Sequence, residues 1–282
     1  MKRLVLTIAA ATTALAMCGF GLSRPAQPRP ATSAPVRYAK LVWADEFNGS
    51  AGTPPDASKM THDVGAWGYP EHELETYTDG TANASLDGHG HLAIVARRQT
   101  ATGPDGRRRT YTSARLETQG LFSATHGLIE ARMKIPTGAG LWPAFWLLGN
   151  GVNGAGWPAS GEIDVLEALG QHPSVAHGFI NGPSTAAPHY TVGRGVNSPR
   201  SLASGFHTYA ISWSHNSITW LLDGVPYGTV TPKDLPPGAK WVFNGPFHLA
   251  LNLAVGGDWA GPPNSATHFP ATLLVDWVRV YQ

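Results

Sequence analysis

Between residues 41 and 281 the apolar side chains of this chain recur mainly at every second position, and no segment carries a helical stripe longer than two turns. A period of two puts successive side chains on opposite faces of an extended strand, so the chain must bury one face of many strands. Residues 128–135 alternate apolar and charged side chains and predict a strand with one buried face. Residues 206–213 and 273–281 predict two more, and Phe247, Leu249, Leu251 and Leu253 mark one face of another. Residues 217–222 and Val225-Pro226-Tyr227 flank Asp223-Gly224, a pair suited to the positive φ angles of a tight hairpin turn. The 33 Gly and 23 Pro supply turns for short strands. The expectation is an all-β sandwich or barrel.

Charged residues make up only 14% and the net charge is +1, so no general field draws the chain to nucleic acid or anionic lipid. Lys2 and Arg3 precede an uncharged apolar run ending at Leu22, and a Pro/Ala-rich stretch follows. Residues 1–23 therefore read as a signal peptide, 24–39 as a linker and 40–282 as one catalytic-sized domain, which implies secretion. An N-terminal membrane anchor is the alternative. Cys18 is the only cysteine, which excludes an intrachain disulfide. Its position is that of a lipoprotein cleavage site with Met17 where a small residue is usual. Lipid attachment there would hold the protein at the cell surface; otherwise no membrane association is expected.

The chemistry concentrates in Glu162-Ile163-Asp164-Val165-Leu166-Glu167. In a regular strand Glu162 and Asp164 share a face and Glu167 points away. One β-bulge near Val165-Leu166 would return Glu167 to that face. Three neighbouring carboxyls repel, so at least one pKa must rise. Retaining glycoside hydrolysis uses such a pair about 5–5.5 Å apart, one carboxylate attacking and one carboxylic acid donating. A solvated acidic edge and an oxygen-ligated cation site are the competing readings.

These residues resemble the signature of glycoside hydrolase family 16 in its bulged, laminarinase-like form. So do Gly140-Leu141-Trp142-Pro143-Ala144-Phe145-Trp146, Trp43-Ala44-Asp45-Glu46-Phe47-Asn48-Gly49, Tyr111-Thr112-Ser113-Ala114-Arg115, Phe206-His207-Thr208-Tyr209, and segments 251–257 and 275–281. The likeness spans nearly all of residues 41–282. It implies a β-jelly-roll sandwich of two curved antiparallel sheets, concanavalin A-like, with a substrate cleft. It implies Glu162 as nucleophile, Glu167 as acid/base and Asp164 as assisting carboxylate. It places Trp142 and Trp146, four apart on one strand face, as sugar platforms beside the bond to be cut. It also places Arg115, His177 and Trp259 in the groove, and a structural Ca²⁺ at Glu46, Gly90 and Asp276, away from the cleft. No cofactor serves the reaction.

The resemblance implies a monomeric endo-β-1,3-glucanase acting on β-glucan. Mixed-linkage glucan, a galactan of agar or carrageenan type, and glucan binding without catalysis are the alternatives. The chain departs from the family at Trp67-Gly68-Tyr69-Pro70-Glu71-His72-Glu73-Leu74-Glu75, where Trp-Gly-Asn-Asn-Glu-Leu-Gln is common, and at Gly178-Phe179-Ile180-Asn181 and His126. Those changes leave the polymer open.

Overall fold

The computed structural model describes residues 40–68 and 71–282. The expected signal peptide, the linker and Cys18 lie outside the described residues. The described part is built on two stacked antiparallel sheets, one of eight strands and one of seven, with two small two-stranded pairs (Glu75–Tyr77 parallel to Tyr111–Ser113, and Ala101–Thr102 with Arg108–Arg109), a four-residue α-helix, Val152–Ala155, and a 3-10 turn, Pro232–Asp234.

The eight-stranded sheet is the one the alternation foretells. Gly127–Lys134 buries every second residue, placing Ile129, Ala131 and Met133 in the core. It pairs with His207–Ser214 on one side and with Ala271–Tyr281 on the other. Ser217–Leu222 and Val225–Val230 form the expected hairpin, with Asp223 at φ 50 and Gly224 at φ 75.

The seven-stranded sheet carries the groove. Its order is Tyr190–Asn197, Val175–Gly182, Glu162–Glu167, Leu141–Gly149, Phe247–Val255, Arg115–Glu117 and Thr61–His62. Leu141–Gly149 and Phe247–Val255 are buried along their whole length. One face of each, including Phe145, Leu147, Leu249 and Leu251, packs into the core between the sheets. The other face carries Trp142, Ala144, Trp146 and Leu148 beside Ala250 and Ala254. A strand covered on both faces loses its alternation and reads as a continuous apolar run, as residues 141–148 do.

Glu162–Glu167 is bulged at the expected place. Trp146 pairs with Asp164 and Phe145 with Leu166, so Val165 is the extra residue. A bulge interrupts the ladder and leaves a backbone group to be satisfied elsewhere. Here the indole of Trp220, reaching across the core from the other sheet, donates to the Asp164 carbonyl at 2.7 Å. Gly178 makes room for it: a Cβ there would lie 2.1 Å from Trp220 Nε1. Trp220→Phe is expected to lose about 1–3 kcal/mol by orphaning a buried carbonyl. It should also lower kcat about tenfold or more, because the bulge aims Glu167. Urea unfolding and initial rates on glucan check both, and an unchanged kcat would sever the link to the bulge.

Glu46, Gly90 and Asp276 converge at one edge of the strand Ala271–Tyr281. Leu41–Asp45 pairs with its end, Leu92–Ala96 pairs up to Val275, and Asp276 lies between these pairings. Both carboxylates already have cationic partners. Arg279 donates to both oxygens of Glu46 at 2.8 Å, and Arg132 pairs with Asp276. Among the described residues no cluster of three or more His, Cys, Asp or Glu side chains could hold a metal ion. The carboxylates at this edge are therefore engaged by arginines, Gly90 could offer only its backbone carbonyl, and no chemistry is assigned to a Ca²⁺ here.

Candidate active site

The register of the seven-stranded sheet lines the groove in three rows. One row runs Arg115, Asn252, Ala144, Glu167, His177. The next runs Ala250, Trp146, Asp164, Phe179, and the third runs His248, Leu148, Glu162, Asn181, Thr191. The bulge puts Glu162, Asp164 and Glu167 on one face, and all three line a cleft of about 470 Å³. Small Ala144, Ala250 and Ala254 keep the floor low, so that Trp142 and Trp146 lie along it.

Glu162 and Asp164 share one partner, and Glu167 has another. Asn181 Nδ2 donates to Glu162 at 2.8 Å and to Asp164 at 3.0 Å, and Thr191 holds Asn181 by donating to its carbonyl at 2.6 Å. What ties Asp164 to Glu162 is the shared Asn181 amide. Trp142 Nε1 donates to Glu167 at 2.9 Å, and the Trp157 indole hydrogen-bonds Glu162.

Burial drives all three pKa values up, and mutual repulsion adds to the rise at Asp164 and Glu167. Glu162 rises to about 7, checked by the positive charge of Arg115 and the Asn181 amide. Glu167 rises to about 8, where the Trp142 bond is weaker compensation and the Glu162 charge adds. Asp164 is pushed well up by burial and by both glutamates. The groove thus holds carboxyls of unequal proton affinity, which suits one to attack and another to donate.

Of the remaining expected residues, Arg115, Trp142, Trp146 and Trp259 line the cleft, while His177 is not among its lining residues and packs behind Phe179 and Trp259. Trp146 Nε1 is fixed by Asn252 at 2.8 Å, and the Arg115 guanidinium sits 4.5 Å from the centre of the Trp146 ring. Arg115 is itself held by Asp63 and Glu117, so it stiffens the platform as well as lining the cleft. His177 stacks on Phe179, and both meet the edge of Trp259, which also packs against Trp142. Trp259 remains 37% exposed at that end of the cleft, placed as an end wall.

The sequence reading missed Trp157, His189, Phe179, Thr191 and Asn252, all of which line the cleft. Trp157 and His189 come together at 4.9 Å from two separate loops, which no periodicity could signal. Asn252 was detectable as the polar residue on the face opposite Leu251 and Leu253.

The sequence profile of Glycosyl hydrolases family 16 matches residues 72–279. The chain belongs to that family. It is a glycoside hydrolase. A "Beta-glucanase" of Rhodothermus marinus is 40% identical over 254 residues, covering 86% of this chain and 85% of that protein. The endo-beta-1,3-glucanase structure from Pyrococcus furiosus matches with TM-score 0.80 at 39% identity, covering 86% of this chain and 94% of the other. The laminarinase catalytic domain from Thermotoga maritima gives 0.79 at 37% identity, covering 86% and 98%. The family's jelly roll is the fold described above.

Proposed function

We propose that this family 16 enzyme cuts internal bonds of a neutral β-1,3-glucan of laminarin type with net retention. The observation that carries the reading is the single groove face shared by Glu162 and Glu167, with proton affinities set apart by their partners. Ionised Glu162 attacks the anomeric carbon as the C–O bond to the leaving sugar breaks, and Glu167 gives its proton to the leaving oxygen. Glu167 then takes a proton from water, whose oxygen attacks the same carbon and releases Glu162. Asp164, held by the same amide as Glu162, steadies the nucleophile's charge as it changes. Aromatic walls at Trp142, Trp146 and Trp259 suit the C–H faces of β-glucose rings.

The groove's charge supports a neutral polymer. With Glu167 holding its proton as the acid and the proton affinity of Asp164 raised, the carboxyls of Glu71, Glu73 and the attacking Glu162 line it against one arginine, Arg115. A sulfated galactan would meet net repulsion there. The names of the relatives, beta-glucanase and laminarinase, point the same way. Incubation with laminarin, lichenan, agarose and carrageenan is expected to release reducing ends fastest from laminarin and none from carrageenan. Release from a galactan with none from laminarin would overturn the choice of polymer. We also propose export by removal of residues 1–23; N-terminal sequencing of the protein recovered from culture medium tests that.

A further inference from the structure

The segment Glu71-His72-Glu73-Leu74-Glu75 leads to a second group of acids. Glu73 and Glu75 lie under the groove edge, 8% and 1% exposed, with their carboxyls within hydrogen-bonding reach of one another. Two carboxyls can hydrogen-bond only if one carries a proton. Glu75 Oε2 accepts from the Val255 amide at 2.6 Å, while Oε1 is fully buried and meets no N–H or O–H donor among the described residues. An ionised Glu75 would leave that oxygen's charge uncompensated in the interior. Glu73 is better placed for charge. It accepts from the Tyr77 hydroxyl at 2.9 Å and feels the positive charge of Arg115.

The bonds continue from the pair into the sugar groove. Tyr77 oxygen accepts from Asn252 Nδ2 at 3.0 Å, and Asn252 Oδ1 accepts from Trp146 Nε1 at 2.8 Å. We propose that Glu75 is a protonated, neutral donor to the Glu73 carboxylate, and that this pair is a positioning device that fixes the Trp146 sugar platform through Tyr77 and Asn252. The charged groups facing the pair are Arg115, Glu71 on the same loop and Glu167 across the groove. One of the three is a cation, so a second negative charge at Glu75 would be offset only by backbone amides, chiefly that of Val255. Burial and the Glu73 charge push the Glu75 pKa far up, in keeping with this assignment.

The inference rests on the groove's binding glucan only for its effect on KM; the proton itself is tested without substrate. In Glu75→Gln the amide donates where the acid did but has no proton to lose. Wild-type stability from this group is full below the unfolded-state pKa and falls as pH rises toward the folded one. The difference in Tm between Glu75→Gln and wild type should therefore be small at pH 5 and grow by about 2 °C or more by pH 9. A difference that stays constant with pH overturns the protonated state. On laminarin near pH 6, Glu75→Gln should keep KM and kcat within about twofold. Tyr77→Phe, which cuts the path to Asn252, should raise KM about tenfold with a smaller change in kcat, the worth of one buried hydrogen bond. Unchanged KM in Tyr77→Phe, or loss of affinity in Glu75→Gln, overturns the positioning role.

Discussion

Glu162→Gln is expected to lower turnover on laminarin by about 10⁴-fold or more while the protein still binds laminari-oligosaccharides. The reason lies in what the substitution keeps. Glutamine has the same shape, and its carbonyl can still accept from the Asn181 amide that holds Glu162 at 2.8 Å. Only the attacking oxygen's charge is gone. The shorter Glu162→Ala opens space beside the anomeric carbon. With azide and an aryl β-glucoside it should yield the α-glycosyl azide, because the anion enters from the face Glu162 vacated. Turnover unchanged in the Gln variant would remove Glu162 from the nucleophile role. A β-azide from the Ala variant would exchange its role with that of Glu167.

Glu167→Gln should cost about 10²–10⁴-fold on glucan and far less on an aryl glycoside whose leaving group needs no proton. The pH profile carries the second part. Wild-type kcat/KM should be bell-shaped, falling on the acid side as Glu162 takes up a proton near 7 and on the alkaline side as Glu167 loses one near 8. These limbs belong to the coupled acids together, Asp164 included. In Glu167→Gln the alkaline limb should vanish with aryl substrates. Stability should move the other way from activity. Both glutamates have raised folded-state pKa values, so their stability contribution is full below the unfolded value near 4.5 and is lost as pH rises to 7–8. Glu167→Gln escapes that loss and should melt higher than wild type at pH 8, by about 2–4 °C per kcal/mol, with little difference at pH 4. A lower melting point at pH 8 would show that the Trp142 bond outweighs the desolvated charge.

The acidic strand shows how far sequence carries. Three acids in six residues, with one out of phase, force either a wasted glutamate or a bulge. The bulge is there, at Val165. The hairpin at Asp223-Gly224 was equally legible, because a tight turn demands positive φ and only a few residues accept it. That Trp142 and Trp146 share a face followed from a spacing of four on a strand; that the face lies in the groove was what the family resemblance implied. The satisfaction of the bulge by Trp220 was not legible, since it joins residues 56 apart across two sheets. Nor was the Asn181 bridge, which depends on the register of a neighbouring strand. The calcium expectation came from the family resemblance, whereas the pairing of arginines with Glu46 and Asp276 is set by the tertiary structure.

The order of residues thus determined the strands, the bulge and the identity of the acids, because a period of two and the chemistry of a turn act over a few residues. Which acid keeps its proton was decided only when the sheets closed. Proton affinity depends on burial and on the charges and donors within a few ångströms, and here Asn181, Trp142 and Trp157 are brought to the carboxyls from elsewhere in the chain. The same holds for Glu73 and Glu75: two residues apart in the sequence, they become a proton-sharing pair only when the fold takes the water away.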